Sequence, residues 1–214
     1  MLAFKIGELF MADGQGKHFD ILPEDIMRAD IYDLIGGILR KEPESDLIQY
    51  VASLDGDNTP IGSAVSTLAK LAKSLDIAVI REEYVKLFIG VGRGEILPFA
   101  SYYLTGFLNE KPLANVRGDM ASIGISRMDN VKEPEDHIAS LMDIMAGLIR
   151  GDFGRPFSVG EQATFFHKHL STWASLLFQD IEASKGAVFY APVGTIGKLF
   201  MDIESQAFNM DATG

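Results

Sequence analysis

The stretch EPEDHIASLMDIMAGLIR, residues 133–150, decides the fold. Within it Ile138, Leu141, Met142, Met145 and Ile149 recur three and four residues apart. At about 100° per residue that spacing draws one apolar stripe along an α-helix, and a stripe this apolar predicts a buried helix. Proline at a first helical position forgoes an N–H that would be unpaired anyway, and acids in the first turn meet the positive end of the helix dipole. Pro134, Glu135 and Asp136 therefore predict helix entry near Glu133. On the resulting wheel His137 flanks the stripe beside Ile144 and Leu148, while Asp136 points well away from it. An imidazole at the edge of a core beside a solvent-facing carboxylate could grip a cation, although a histidine so placed is more often a hydrogen-bonded packing residue.

The same grammar runs outward from this segment. Pro23-Glu24-Asp25 opens a second helix in which Ile26, Ala29, Ile31, Leu34, Ile35, Ile38 and Leu39 recur at near-helical spacing up to Arg40. Pro43 stops it, and Asp46 to Leu54 reads as a further short helix. Asp55 to Pro60 is a polar turn; a calcium loop would need glutamate at its twelfth position, where Ser66 stands. Val65, Leu68, Ala69, Ala72 and Leu75 face one way between Ile61 and Leu75, with Lys70 and Lys73 turned out. Glu82 to Phe88 continues a helix that Gly90 ends, and Gly92, Arg93 and Gly94 make a turn before Ile96 to Tyr103. This glycine cluster has neither the preceding strand nor the lysine-serine ending of a phosphate loop.

Leu113, Val116, Met120 and Ile123 define another helix, closed by Gly124. Ser126 to Lys132 is a polar link. Beyond the central stretch, Arg150 to Pro156 is a loop. One strong helix then follows Gly160 and carries Phe165, Phe166, Leu170, Trp173, Leu176, Leu177 and Ile181. Val188 to Met201 predicts one more helix before a frayed polar end, and Met1 to Ala12 a short first one. The reading is all-α, a single globular domain over 1–214 built from roughly nine to ten helices.

Composition narrows the function. Of 214 residues, 47% are hydrophobic, enough for a substantial core. Thirty acidic against 19 basic residues give a net charge of -11, which repels nucleic acid and anionic membrane and attracts basic partners. No cysteine is present, so disulfides, thiolate metal sites and a cysteine nucleophile are excluded. The start of the chain does not read as a signal peptide, and no apolar run approaches the ~20 residues that span a bilayer. A cytoplasmic location without membrane insertion is expected. Neither a Gly-X-Ser-X-Gly elbow nor a His-Glu-X-X-His pair occurs. His167 and His169 lie about 200° apart on a helix, too far to share one ion.

The Glu-Pro-Glu-Asp-His string resembles the signature of the TorD-like chaperones (TorD, DmsD and NarJ type), cytoplasmic proteins that assist maturation of molybdenum-cofactor oxidoreductases. The resemblance extends from about Ala29 to Glu182. Arg28 to Leu34 is similar to the family's opening helix. Tyr84, Leu87, Phe88, Pro98, Ser101 and Tyr102 follow its pattern of an aromatic, Leu-Phe, a proline turn, serine and an aromatic. Gln162, Phe165, Phe166, His169, Leu170 and Trp173 follow its later one. Ala100 departs from it, standing where many relatives have glutamate.

The resemblance implies two helical lobes, about 1–128 and 129–214, joined by a hinge at the polar link, in a monomer or a domain-exchanged homodimer. It implies a binding protein, not an enzyme, with no cofactor of its own. Its partner would be the twin-arginine signal peptide of a molybdoenzyme catalytic subunit, or that subunit's apo form. The peptide groove would lie near Tyr84, Leu87, Phe88, Pro98, Phe99, Ser101 and Tyr102, although Leu87 and Phe88 read better as core. Glu133, Glu135 and Asp136, with Pro134 and His137, would complement the two guanidiniums. The rival is a metal-dependent hydrolase using Asp136, His137, His167 and Asp143.

Overall fold

A computed structural model describes residues 19–127 and 133–211. The helix expected over Met1 to Ala12 and most of the polar link lie outside them. Ten α-helices occur among the described residues: α1 Pro23–Arg40, α2 Ser45–Ser53, α3 Pro60–Ser74, α4 Ile77–Tyr84, α5 Ala100–Thr105, α6 Lys111–Ser122, α7 Ile138–Arg150, α8 Val159–His169, α9 Ala174–Ala183 and α10 Tyr190–Asp211. One π-helical turn, Val85–Ile89, extends α4. The only β pairing among the described residues is an isolated antiparallel bridge between Phe99 and His137. The all-α expectation agrees with this architecture.

α7 is the centre of the packing. Every residue from Ile138 to Ile149 is buried, so the helix is enclosed all round, beyond the single stripe read from its spacing. α1 packs along it, and Gly36 permits the close approach, since a Cβ there would sit 3.2 Å from both Asp143 Oδ1 and Met142 Cβ. Ion pairs fix the register of the two helices. Arg40 donates to Asp143 Oδ1 at 2.5 Å, and Arg150 donates to Asp30 at 2.6 Å and to Asp33. α10 packs on α9 and α3, and residues on both sides of 128–132 belong to one hydrophobic core.

Two buried acids tie distant parts of the chain together. Glu83 on α4 accepts the backbone N–H groups of Val188, Phe189 and Tyr190 at 2.8 to 3.0 Å, satisfying the free donors at the start of α10. Glu204 on α10 receives both Nε and a terminal nitrogen of Arg28 at 2.8 Å, and the Tyr32 hydroxyl at 2.8 Å. Glu204 also corrects the expectation of a frayed polar end, because α10 runs to Asp211 with Glu204 and Phe208 turned into the core.

A second correction concerns the helix after Gly160, which is two helices. Trp173 leaves helical geometry at φ -145°, and its indole N–H donates to the His169 carbonyl at 2.6 Å, so the side chain takes over an acceptor where the helix ends. The apolar spacing runs straight through that break, which is why periodicity alone missed it.

Candidate functional site

The signature does not open a helix at Glu133. α7 begins at Ile138, and Glu133 to Asp136 form the turn before it. His137 is the N-cap: its Nδ1 accepts the Ala139 N–H at 3.1 Å, the role a serine or aspartate more often fills. Nor does Asp136 face solvent; it is only 1% exposed. Its Oδ2 accepts the Ser101 N–H at 2.8 Å and also the Ser101 hydroxyl, while its carbonyl accepts the Ala100 N–H at 3.0 Å. Asp136 thereby caps α5 from another segment. Helix signals in a sequence assume that cap and helix are contiguous, so a carboxylate beside proline reads as part of the helix that follows it even where it caps another.

The clasp closes with two further contacts. The Pro98 carbonyl accepts the Ile138 N–H at 2.8 Å, and the Phe99 ring meets the His137 ring edge-on with centroids 4.9 Å apart. Proline, phenylalanine, serine, aspartate and histidine of the expected site are thus brought together, as a joint between α5 and α7. Burial, with a smaller push from the Arg40 cation, lowers the His137 pKa to about 3, so the imidazole is neutral and its Nδ1 lone pair is available to cap. With the folded pKa below the ordinary 6.5, the folded state binds fewer protons, and the stability His137 contributes is lost as pH falls from about 6.5 toward 3. Asp143 acts in the opposite sense: burial raises its pKa to about 6 despite Arg40, and its contribution fades as pH rises through that value. His137→Asn, which keeps a capping acceptor, is expected to lose less stability on acidification than the parent. Urea midpoints compared at pH 7 and pH 5 check this, since Asp143 is common to both proteins.

The other two signature acids differ sharply. Glu135 is buried and already engaged by Arg117 at 2.9 Å and Arg127 at 3.6 Å. Glu133 is exposed, and its carboxylate lies near Tyr84, whose hydroxyl is pushed up to about 12 first by burial and then by Glu133 and Glu42. Tyr84, Leu87 and Phe88 are buried, as core packing requires. The Tyr84 and Phe88 rings touch, with centroids 5.1 Å apart.

Phe88 also lines a cleft of about 430 Å³ on the far side, with Ile89, Leu97, Tyr102, Phe107 and Leu108 as its apolar walls. Gly92, Gly94 and Gly106 complete its lining, and Gly90 sets the turn that carries the first two. Gly90 adopts φ +62° and a Cβ on it would lie 1.9 Å from the Arg93 carbonyl; the turn folds back so that Ile96 N–H reaches the Leu87 carbonyl at 2.8 Å. Phe107 is 70% exposed and Ile89 54%, so the cleft rim is apolar surface left in water. Composition gave no signal for Phe107 or Leu108, because an exposed apolar residue looks like a core residue until the fold is known. α5, the element that the clasp holds, carries Tyr102 into the cleft wall.

The hydrolase constellation is not assembled. Asp136 is on Ser101, Asp143 on Arg40, and His167 against the rings of Phe166 and Phe208. Among the described residues no group of three His, Asp or Glu side chains could hold a metal ion. No described helix is long and apolar enough to cross a membrane.

Fold and cleft together describe an all-helical protein with an exposed apolar groove buttressed by a buried polar joint. The chain belongs to the family described as nitrate reductase delta subunit, which matches residues 54–179 and so takes in both the cleft and the joint. It is 25% identical over 205 residues to the chaperone protein TorD of Vibrio atlanticus (strain LGP32), covering 84% of this chain and 93% of that one. It is 28% identical over 166 residues to the chaperone protein TorD of Vibrio cholerae serotype O1 (strain M66-2), covering 68% and 76%. The crystal structure of a candidate redox enzyme maturation protein from Archaeoglobus fulgidus superposes with a TM-score of 0.60 over 88% of this chain and 99% of that one. At 18% identity this likeness speaks for the fold.

Proposed function

We infer that this chain is a maturation chaperone for a redox enzyme and carries out no reaction itself. The observation that carries this is family membership across 54–179, joined by relatives named as TorD chaperones over most of both chains. Its client is a molybdenum-cofactor oxidoreductase subunit, met in the cytoplasm as the apo form or through its twin-arginine signal peptide. In this reading the peptide's apolar stretch enters the cleft, and its basic head lies toward Glu133, the signature acid left exposed. Glu135 and Asp136 act by holding the joint. Exposed ion pairs supply only ~0.2 to 1 kcal/mol each, so apolar burial carries most of the affinity.

The decisive experiment co-expresses the chain with the oxidoreductase subunit encoded beside its gene, in cofactor-deficient and cofactor-loaded hosts. A complex with the apo form that is lost on cofactor insertion is the expected result; equal capture of both forms, or of neither, overturns it. Burying one exposed phenylalanine yields about 1.5 to 3 kcal/mol. Phe107→Ser is therefore expected to weaken calorimetric binding of that subunit's signal peptide by about tenfold or more, with the unfolding midpoint unchanged.

A further inference from the structure

The charge balance of the cleft points to a selection rule that rests on the proposed chaperone reading. Among the described residues that line it, Arg93 is the one charged side chain, the Tyr102 hydroxyl is the other polar group, and no carboxylate is present. Arg28, Arg40, Arg117, Arg127, Arg150 and Arg155 each make an ion pair with an aspartate or glutamate, and Arg81 donates to the Pro43 carbonyl at 2.9 Å, away from the cleft. No such pair is made by Arg93 among the described residues. Its guanidinium lies over the Tyr102 ring, 4.8 Å from the centroid, and donates to the Tyr102 hydroxyl, while nearby Glu95 is turned to Ser184 at 2.9 Å. A guanidinium stacked on an aromatic face keeps its remaining N–H groups directed outward and is poorly hydrated on the stacked side, which suits it to receive a carboxylate. In a chain of net charge -11, a cation without an acidic partner at an apolar rim is a selective feature.

We propose that the cleft takes an apolar segment of the partner polypeptide that bears an acidic side chain next to its apolar run, and that Arg93 pairs with that carboxylate. Arg93 thus sets specificity within the cleft and keeps basic residues of the partner out of it. Any arginine pair on the partner is then met outside the cleft, where Glu133 is the exposed acid of the signature.

The test uses the full chain and fluorescein-labelled, C-terminally amidated leucine–alanine helical peptides. They differ in one residue beside the apolar run: Glu, Gln or Lys. Fluorescence anisotropy of the unmodified protein is expected to rank them Glu tighter than Gln tighter than Lys, with steps of about two- to fivefold that shrink as salt is raised. In Arg93→Glu the order of the Glu and Lys peptides inverts. Arg93→Gln removes the ranking. If the peptides bind but all three proteins rank them alike, charge selection fails while the cleft still accepts apolar segments. If no peptide binds the unmodified protein, the assignment of the cleft as a binding site falls as well.

Discussion

Glu204→Ala is expected to lower stability by about 2 to 4 kcal/mol, because it leaves the buried Tyr32 phenol without its acceptor and takes from the Arg28 guanidinium one of two carboxylates, Asp25 remaining at 2.7 Å. Arg28 is 22% exposed along its side chain and Glu204 1%, so water can compensate only the arginine in part. The cost should appear as a thermal midpoint lower by roughly 10 °C in a chain of this size. A double variant, Arg28→Met with Glu204→Leu, removes both charges and is expected to be less damaging than the single change. Should Glu204→Ala unfold at the parent's midpoint, the bidentate pair between α1 and α10 would be energetically idle.

Asp136→Ala is the second large effect, and it separates two roles for the signature. Removing the carboxylate strands the buried Ser101 N–H and hydroxyl, at a cost of about 2 to 4 kcal/mol. It also frees α5, which bears Tyr102, so peptide affinity should fall by about tenfold although Asp136 lies outside the cleft lining. Asp136→Asn retains an oxygen that both Ser101 donors can reach, and it is expected to restore most of the stability and most of the binding. A charge contact with the ligand would give the opposite result: Asn would fold like the parent and bind as poorly as Ala. Urea denaturation and calorimetry on the same three proteins decide between these.

These two residues also mark where reading the sequence works. α1, α2, α3 and α6 fall within a residue or a few of their expected spans, since their apolar spacing, N-terminal prolines and terminal glycines are local signals. The turn at Asp55 to Pro60 remains a turn, with Thr59 capping α3 by accepting the Gly62 N–H. The glycine cluster is a fold-back, its spacing set by Gly90 and by Gly94, where a Cβ would meet the Phe88 backbone at 2.5 Å. Trp173 broke one expected helix into two because its indole supplies a hydrogen bond that no periodicity records.

The expected site was legible as a set of residues and misread as a surface. Pro98, Phe99, Ser101, Asp136 and His137 do meet, through contacts 35 to 40 positions apart. Which of them face water could not be read from a wheel, because the wheel places Asp136 on α7 when it lies two residues ahead of that helix and caps another.

The sequence by itself determined an all-helical chain, its central buried helix and the family to which it belongs. These follow from apolar periodicity and short motifs, which act within a few turns of the backbone. Only the tertiary structure decided that the signature is a joint, that Glu133 alone of its acids is exposed, and that Arg93 stands at an apolar cleft with no acidic partner among the described residues. Exposure and pairing are properties of what packs against a residue, and those neighbours are brought from elsewhere in the chain.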